Sequence, residues 1–130
     1  LIVKKQSYST TDGLLNLTVD SVSWIDFDGS DQTAWLVRFL DCQWRIDNEE
    51  LEDKYTTTLD NAVHRFVDSI LQDQFLLRLQ YFGGKLYDAR VIDDQEAGVD
   101  HLLLADQAGL YTGERIVYRY WSGRVIGQAE

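Results

Sequence analysis

At 130 residues, 45% of them apolar, the chain is long enough for one domain with its own core and too apolar to be disordered. Its net charge of −10 works against nucleic acid, whose affinity comes from neutralised phosphates, and no apolar run approaches the roughly 18 residues of a membrane span. Cys42 is the only cysteine, which excludes an internal disulfide and a cysteine-rich metal site.

The charge is uneven. Residues 1–111 carry −11 and residues 112–130 carry +1. An acidic surface of this kind is either plain solvation or an attractor for a basic protein segment. A lone cysteine favours a reducing compartment, cytoplasmic or nuclear, and Cys42 reads as a small buried residue rather than a nucleophile. The start carries no signal-peptide pattern, and a chain without methionine reads as a processed product or an excised domain.

Residues 2–8, IVKKQSY, predict a first strand, closed by a turn at Thr11-Asp12-Gly13. Leu15, Leu17 and Val19 alternate, then Val22 and Trp24 alternate in the opposite phase, which predicts a β-bulge near Asp20-Ser21. DFDGSD, residues 26–31, is an acidic turn. Residues 34–41 predict a strand with Trp35, Val37 and Phe39 on one face and Leu36, Arg38 and Leu40 on the other.

Leu59, Ala62, Val63, Phe66, Val67 and Ile70 recur at helical spacing, and Thr57 with Asp60 resembles a capping box. His64 falls on the polar face of that helix. Phe75, Leu77, Leu79 and Tyr81 alternate as a strand, Gly83-Gly84 turns it, and residues 85–92 return. After the polar turn DDQEAG, residues 99–108 predict a short helix containing His101, with Gly109 as its C-cap. Neither histidine reads as a metal ligand. IVYRYW, residues 116–121, is a last long strand, turned by Ser122-Gly123 toward RVIG. Short strands with glycine turns around packing helices predict a mainly β fold: one small closed barrel of the OB type over residues 1–130, with one long and one short packed helix.

Several segments, in order, resemble the staphylococcal-nuclease-like domain, including the copies in Tudor-domain scaffold proteins. LDNAVHRFVDSIL resembles the family helix that follows the substrate loop. FGGKLYDARVI is similar to its glycine-turn strand, and GVDHLLLADQAGLY to its short helix. Upstream, AWLVRFLDCQWRID resembles the strand that holds the family's arginine, and IDFDGSDQ lies where the family has an Asp-Gly-Asp-Thr turn. The likeness spans about residues 20–111, with residues 112–130 as a C-terminal strand and tail.

Active members hold calcium with acidic side chains and grip the phosphate with two arginines, as oxygen-loving cations and a pentavalent phosphate require. The resemblance places Arg38 at the first arginine and Lys85 at the second, where lysine keeps the charge but loses the bidentate fork. Gln43 and Ile46 stand at acidic positions; Ile46 cannot act as a base, and Asp47 lies one step too far along. Asp26, Asp28 and Asp31 could supply one or two metal oxygens. The resemblance therefore implies a pseudo-nuclease with no cofactor and no metal. On this reading Arg38 is a remnant, paired with a nearby acid such as Asp41 or Asp88.

The leading expectation is a non-catalytic protein-interaction or scaffold module of the kind found in RNA-silencing and germ-granule proteins. Trp44, Tyr118, Arg119, Tyr120 and Trp121 are its candidate partner-binding residues, since aromatics and arginine are enriched at interfaces. A second expectation is nucleic-acid binding without cleavage, through Trp24, Trp44 and Tyr87 beside Arg38, Arg45 and Lys85. Further alternatives are an extended Tudor domain reading methylated arginine in an aromatic cage, an active calcium-dependent nuclease, and an acidic inhibitor that mimics nucleic acid.

Overall fold

Alternating residues form strands, and hairpin turns set their order. The computed structural model describes residues 2–40, 42–44, 48–92 and 96–130. They divide into two compact units, Leu1–Val63 and His64–Glu130.

In the first unit, β1 (Ile2–Ser9), β2 (Asn16–Ile25), β3 (Asp31–Phe39) and β4 (Cys42–Trp44) make one antiparallel sheet in sequence order. The β1–β2 turn falls at the expected Thr-Asp-Gly. The Asp12 carboxylate accepts from the Thr10 hydroxyl at 2.6 Å and the Leu14 N–H at 3.0 Å, and Gly13 takes φ +73°. Leu17 and Val19 stand opposite Phe39 and Val37 in the pairing, and all four are buried.

The expected bulge at Asp20-Ser21 is absent. β2 keeps a single register with β1 and with β3 along its length. Ser21, buried, occupies the interior position where an apolar residue would have continued the pattern. The apparent phase change marks where the core ends: beyond Ser21, Trp24 and Ile25 are exposed. Helix α1 (Asn48–Tyr55) was not anticipated. Its sequence, NEELEDKY, has no apolar stripe, and Leu51 is the one aliphatic side chain in it, fully buried.

Helix α2 (Leu59–Leu71) begins in the first unit and continues in the second. Its predicted stripe is its buried face: Ala62, Val63, Phe66, Val67 and Ile70. The N-cap is Thr58, whose carbonyl accepts from Ala62 N–H at 2.9 Å, one residue after the expected Thr57. At the other end Asp73 adopts φ +61°, its N–H donates to Ile70 C=O, and Gln74 N–H donates to Ser69 C=O. These are the two bonds of a Schellman motif, with aspartate at the position glycine usually takes. The Asp73 side chain also accepts from Ser122 N–H at 3.0 Å.

The second unit holds β5 (Leu76–Phe82), β6 (Lys85–Ile92), helix α3 (Val99–Gly109), β7 (Glu114–Arg119) and β8 (Val125–Ala129). The strands form an antiparallel sheet in the order β6-β5-β7-β8. Gly83 and Gly84, at φ +58° and +80°, make the two-residue turn that the sequence predicts, with the positive φ at both centres that a twisted hairpin needs. Leu76, Val99, Ile116 and Tyr118 form the core beneath α3, with Leu102, Leu103 and Ile126 against it. Gly109 does not act as a left-handed cap; it is the last helical residue, and the chain leaves through Leu110 in extended backbone.

The mainly β fold with a long and a short helix is present, with a third helix added. The strands form two four-stranded sheets, and no closed barrel is found among the described residues. The reason lies in the pairing: β4 joins β3, and the β5–β6 hairpin pairs with β7 and β8, so the strand pairing among the described residues runs within each unit and leaves β1, β4, β6 and β8 as sheet edges.

α3 approaches β8 closely at Gly127. A Cβ there would lie 2.5 Å from Leu103 Cδ1 and 3.5 Å from Val99 Cγ1. Gly127→Val is expected to cost about 1–3 kcal/mol through overpacking. Adding Leu103→Ala should recover part of that loss, and urea denaturation of the single and double variants checks it.

Candidate functional site

The β5–β6 hairpin carries a surface pocket. Pairing runs Gln80 with Asp88, then Tyr81 with Leu86, so Tyr87 is an extra residue in β6. A bulge of this kind re-aims a side chain. Here the Tyr87 hydroxyl crosses to β7 and donates to Glu114 Oε2 at 2.6 Å. Gln80 Nε2 donates to the same oxygen at 2.9 Å, and Tyr111 N–H donates to Glu114 Oε1 at 3.2 Å. Phe82, Lys85, Leu86, Tyr87 and Glu114 line an open pocket of about 440 Å³. Phe82 is 58% and Tyr87 48% exposed.

Tyr87 holds Glu114 below the ordinary carboxylate range, helped by Gln80. The same bond to Glu114 pushes the Tyr87 hydroxyl up to about 12. Glu114 is thereby favoured as the carboxylate and Tyr87 as the neutral phenol that donates to it.

The polar network continues across the sheet. Arg78 donates to Gln80 at 3.2 Å and to Asp106 on α3 at 3.0 Å; Tyr118 donates to the other Asp106 oxygen at 2.5 Å. Asp88 accepts from Arg90 at 3.1 Å and lies 3.8 Å from Arg78. The network fixes α3 over the sheet and holds the pocket's carboxylate in place.

Of the residues singled out by sequence, Lys85 and Tyr87 come together in this pocket. Arg38 belongs to the first unit and Lys85 to the second. Arg38 is paired, as its partial burial demands, but its partner is Asp20 at 2.9 Å. Asp88 is engaged with Arg90 and Arg78 instead, and Asp41 lies outside the described residues. Gln43 stands opposite Arg38 in the β3–β4 ladder and Trp44 opposite Val37. Arg45, Ile46 and Asp47 lie outside the described residues.

The aromatic–arginine tail is mostly interior, which corrects its expected role as a partner-facing surface. Tyr118, Arg119 and Trp121 are 1%, 5% and 8% exposed. Arg119 donates to the carbonyls of Tyr120 and Trp121, and Tyr120 donates to Glu96 at 2.7 Å beneath the Arg124 guanidinium. Ile116 to Arg119 are all buried, so both faces of β7 are covered and Tyr118 and Arg119 belong to the interior of the second unit.

Asp26 and Asp28 turn their carboxylates onto their own loop. Asp26 accepts from Phe27 N–H at 2.9 Å, and Asp28 accepts from Ser30 N–H and Oγ, which lowers the Asp28 pKa. Asp31 opens β3. His64 and His101 are exposed, and Cys42 is buried. Among the described residues no group of three or more histidine, cysteine or acidic side chains converges as metal ligands would, and no helix is long and apolar enough to cross a membrane.

Sequence reasoning missed Phe82, Leu86 and Glu114. The available signal was the broken alternation in KLYDARVI, which places Leu86 and Tyr87 out of step beside a glycine turn. Comparison with protein-family models, with curated proteins and with solved structures returned no match.

Proposed function

We propose that the chain is a non-catalytic interaction module that binds another protein through the pocket at the Gly83-Gly84 hairpin. The observation that carries this is the exposure of Phe82 and Tyr87 as walls of a concave, largely apolar site whose one carboxylate is held by three hydrogen bonds. Exposed aromatic surface around a few fixed polar groups is the usual form of a recognition site. The fitting ligand is an apolar side chain on a partner segment, with Lys85 and Glu114 at the rim to orient its backbone.

A staphylococcal-nuclease-like ancestry belongs to the same proposal. The order of α2, glycine hairpin and α3 supports it, and the division of the strands into two sheets weighs against a closed OB barrel. On that reading the module is a scaffold part whose phosphate-gripping positions, Arg38 and Lys85, now serve packing and binding.

Selection of a displayed random peptide library on the purified chain, with counter-selection on Tyr87→Ala, tests the pocket. Peptides sharing an apolar anchor and binding Tyr87→Ala about tenfold or more weakly are expected. No enrichment, or peptides indifferent to Tyr87→Ala and Phe82→Ala, overturns it. A parallel assay with calcium and single-stranded DNA should give no cleavage; hydrolysis abolished by Arg38→Ala would make the chain a nuclease.

A further inference from the structure

The β2–β3 hairpin of the first unit presents a second, unrelated surface. Its loop is tightly built. Gly29 N–H donates to Asp26 C=O at 2.9 Å, Asp26 N–H donates to Ser30 C=O at 2.8 Å, and Gly29 takes φ +83°. This is a three-residue hairpin loop ending in a left-handed glycine. The Asp26 and Asp28 side chains brace the backbone of the same loop.

The loop chemistry demands the glycine and favours the aspartates, but it asks nothing apolar at residue 27. Phe27 nevertheless stands at the apex with its ring fully in solvent, at 109% relative exposure. Ile25 beside it is 72% exposed and Trp24 39%. Scattered exposed apolar residues need no explanation, but a phenylalanine held wholly in solvent at the apex of a hydrogen-bonded loop, with Ile25 and Trp24 exposed on the strand that leads to it, offers an apolar tip. Because the loop is already fixed, little ordering entropy is lost when it docks.

We infer that this hairpin is a docking finger, with Phe27 entering an apolar pocket rimmed by lysine and arginine on a partner protein. Shape and charge select that occupant. The apex is convex, so its complement is concave and deep enough for an aromatic ring. Asp26, Asp28 and Asp31 lie within four residues of Phe27 on the same hairpin, so the apex is acidic and a cationic rim complements it, whereas an anionic membrane surface would be repelled. The finger is separate from the hairpin pocket of the second unit, and either can fail without the other.

Two probes test it on the intact chain. The first is amino-substituted β-cyclodextrin, an apolar cup with an ammonium rim, titrated while the Phe27 ring resonances are followed by NMR. Binding about tenfold tighter than to neutral β-cyclodextrin, and collapsing to the neutral value at high salt, is expected. Asp26→Asn with Asp28→Asn keeps the loop's acceptors and should remove the same advantage, while Phe27→Ala should abolish the binding. The second is Phe27→benzoylphenylalanine, irradiated in an extract of the source cells, with the adduct mapped by mass spectrometry and the adducted protein then purified and titrated. The expected adduct lies in an apolar pocket flanked by basic residues, and that protein binds Phe27→Ala about tenfold or more weakly. Equal binding of neutral and cationic cups, an adduct to a second copy of this chain or to lipid, no adduct, or indifference to Phe27→Ala overturns the inference.

Discussion

Asp106→Ala is expected to lower the stability of the protein by about 3 kcal/mol, measured by urea denaturation. The carboxylate serves two partly or fully buried groups, the Arg78 guanidinium at 3.0 Å and the Tyr118 hydroxyl at 2.5 Å. Its removal leaves the Arg78 guanidinium beside Gln80, the Tyr118 hydroxyl and a distant Asp88, and takes the carboxylate acceptor from that buried hydroxyl. Breaking one side of such a pair costs more than replacing both sides, so Arg78→Met with Asp106→Leu should cost less than the two single changes added. Tyr118→Phe, which removes only the hydroxyl, should cost about 1 kcal/mol. The network also has an alkaline signature. Burial, and then the bond to Asp106, raise the Tyr118 pKa from 10.0 to about 12. A group raised on folding contributes stability that is complete below its unfolded value, so that contribution should fade as pH climbs from about 10 to about 12. In Asp106→Ala the fading should still begin near pH 10 but be smaller and end at lower pH, because only the folded-state value moves.

Phe66→Ala is expected to cost about 3–5 kcal/mol, the largest loss among changes to α2. Phe66 is 3% exposed on the buried stripe, and its ring lies 5.4 Å from that of Phe75 in a tilted pair. Truncation removes transfer free energy and this aromatic contact together, and leaves a void that Ala62 and Val63 one turn away are too short to fill. Phe66→Leu keeps most of the volume and should cost under about 1.5 kcal/mol. Asp68→Ala on the exposed side of the same helix should fall within about 0.5 kcal/mol of the parent. A midpoint for Phe66→Ala close to that of Asp68→Ala would remove α2 from the list of elements that hold the protein together.

The parts legible in the sequence were those with a strong period or a demanding turn. The α2 stripe, the β5–β6 hairpin with its two glycines, and the β1–β2 turn fall where spacing and turn chemistry place them. α1 was invisible because a helix holding a single buried leucine has no period to read. Buried Ser21 imitates a phase change in β2, whereas the extra residues stand in β6 at Tyr87 and in β8 at Ile126, where an aromatic and a β-branched residue read as ordinary strand. Sheet closure is a long-range property that alternation within a strand does not encode, so two sheets could not be told from one ring. Of the candidate site, Lys85 and Tyr87 were in view, but Glu114 was not, because the bond that gives it meaning spans 27 positions of chain. The tail aromatics misled because composition alone does not separate an interface from an interior.

The strand order also bears on how the protein assembles after synthesis. In the first sheet every pair of neighbours is also adjacent in sequence, so zipping can advance hairpin by hairpin with short loops to close. In the second, β7 must find β5 across a hairpin and α3 before β8 can add. With no proline anywhere in the chain, no prolyl isomerisation delays either route, and the search for that one distant pairing becomes the slow event.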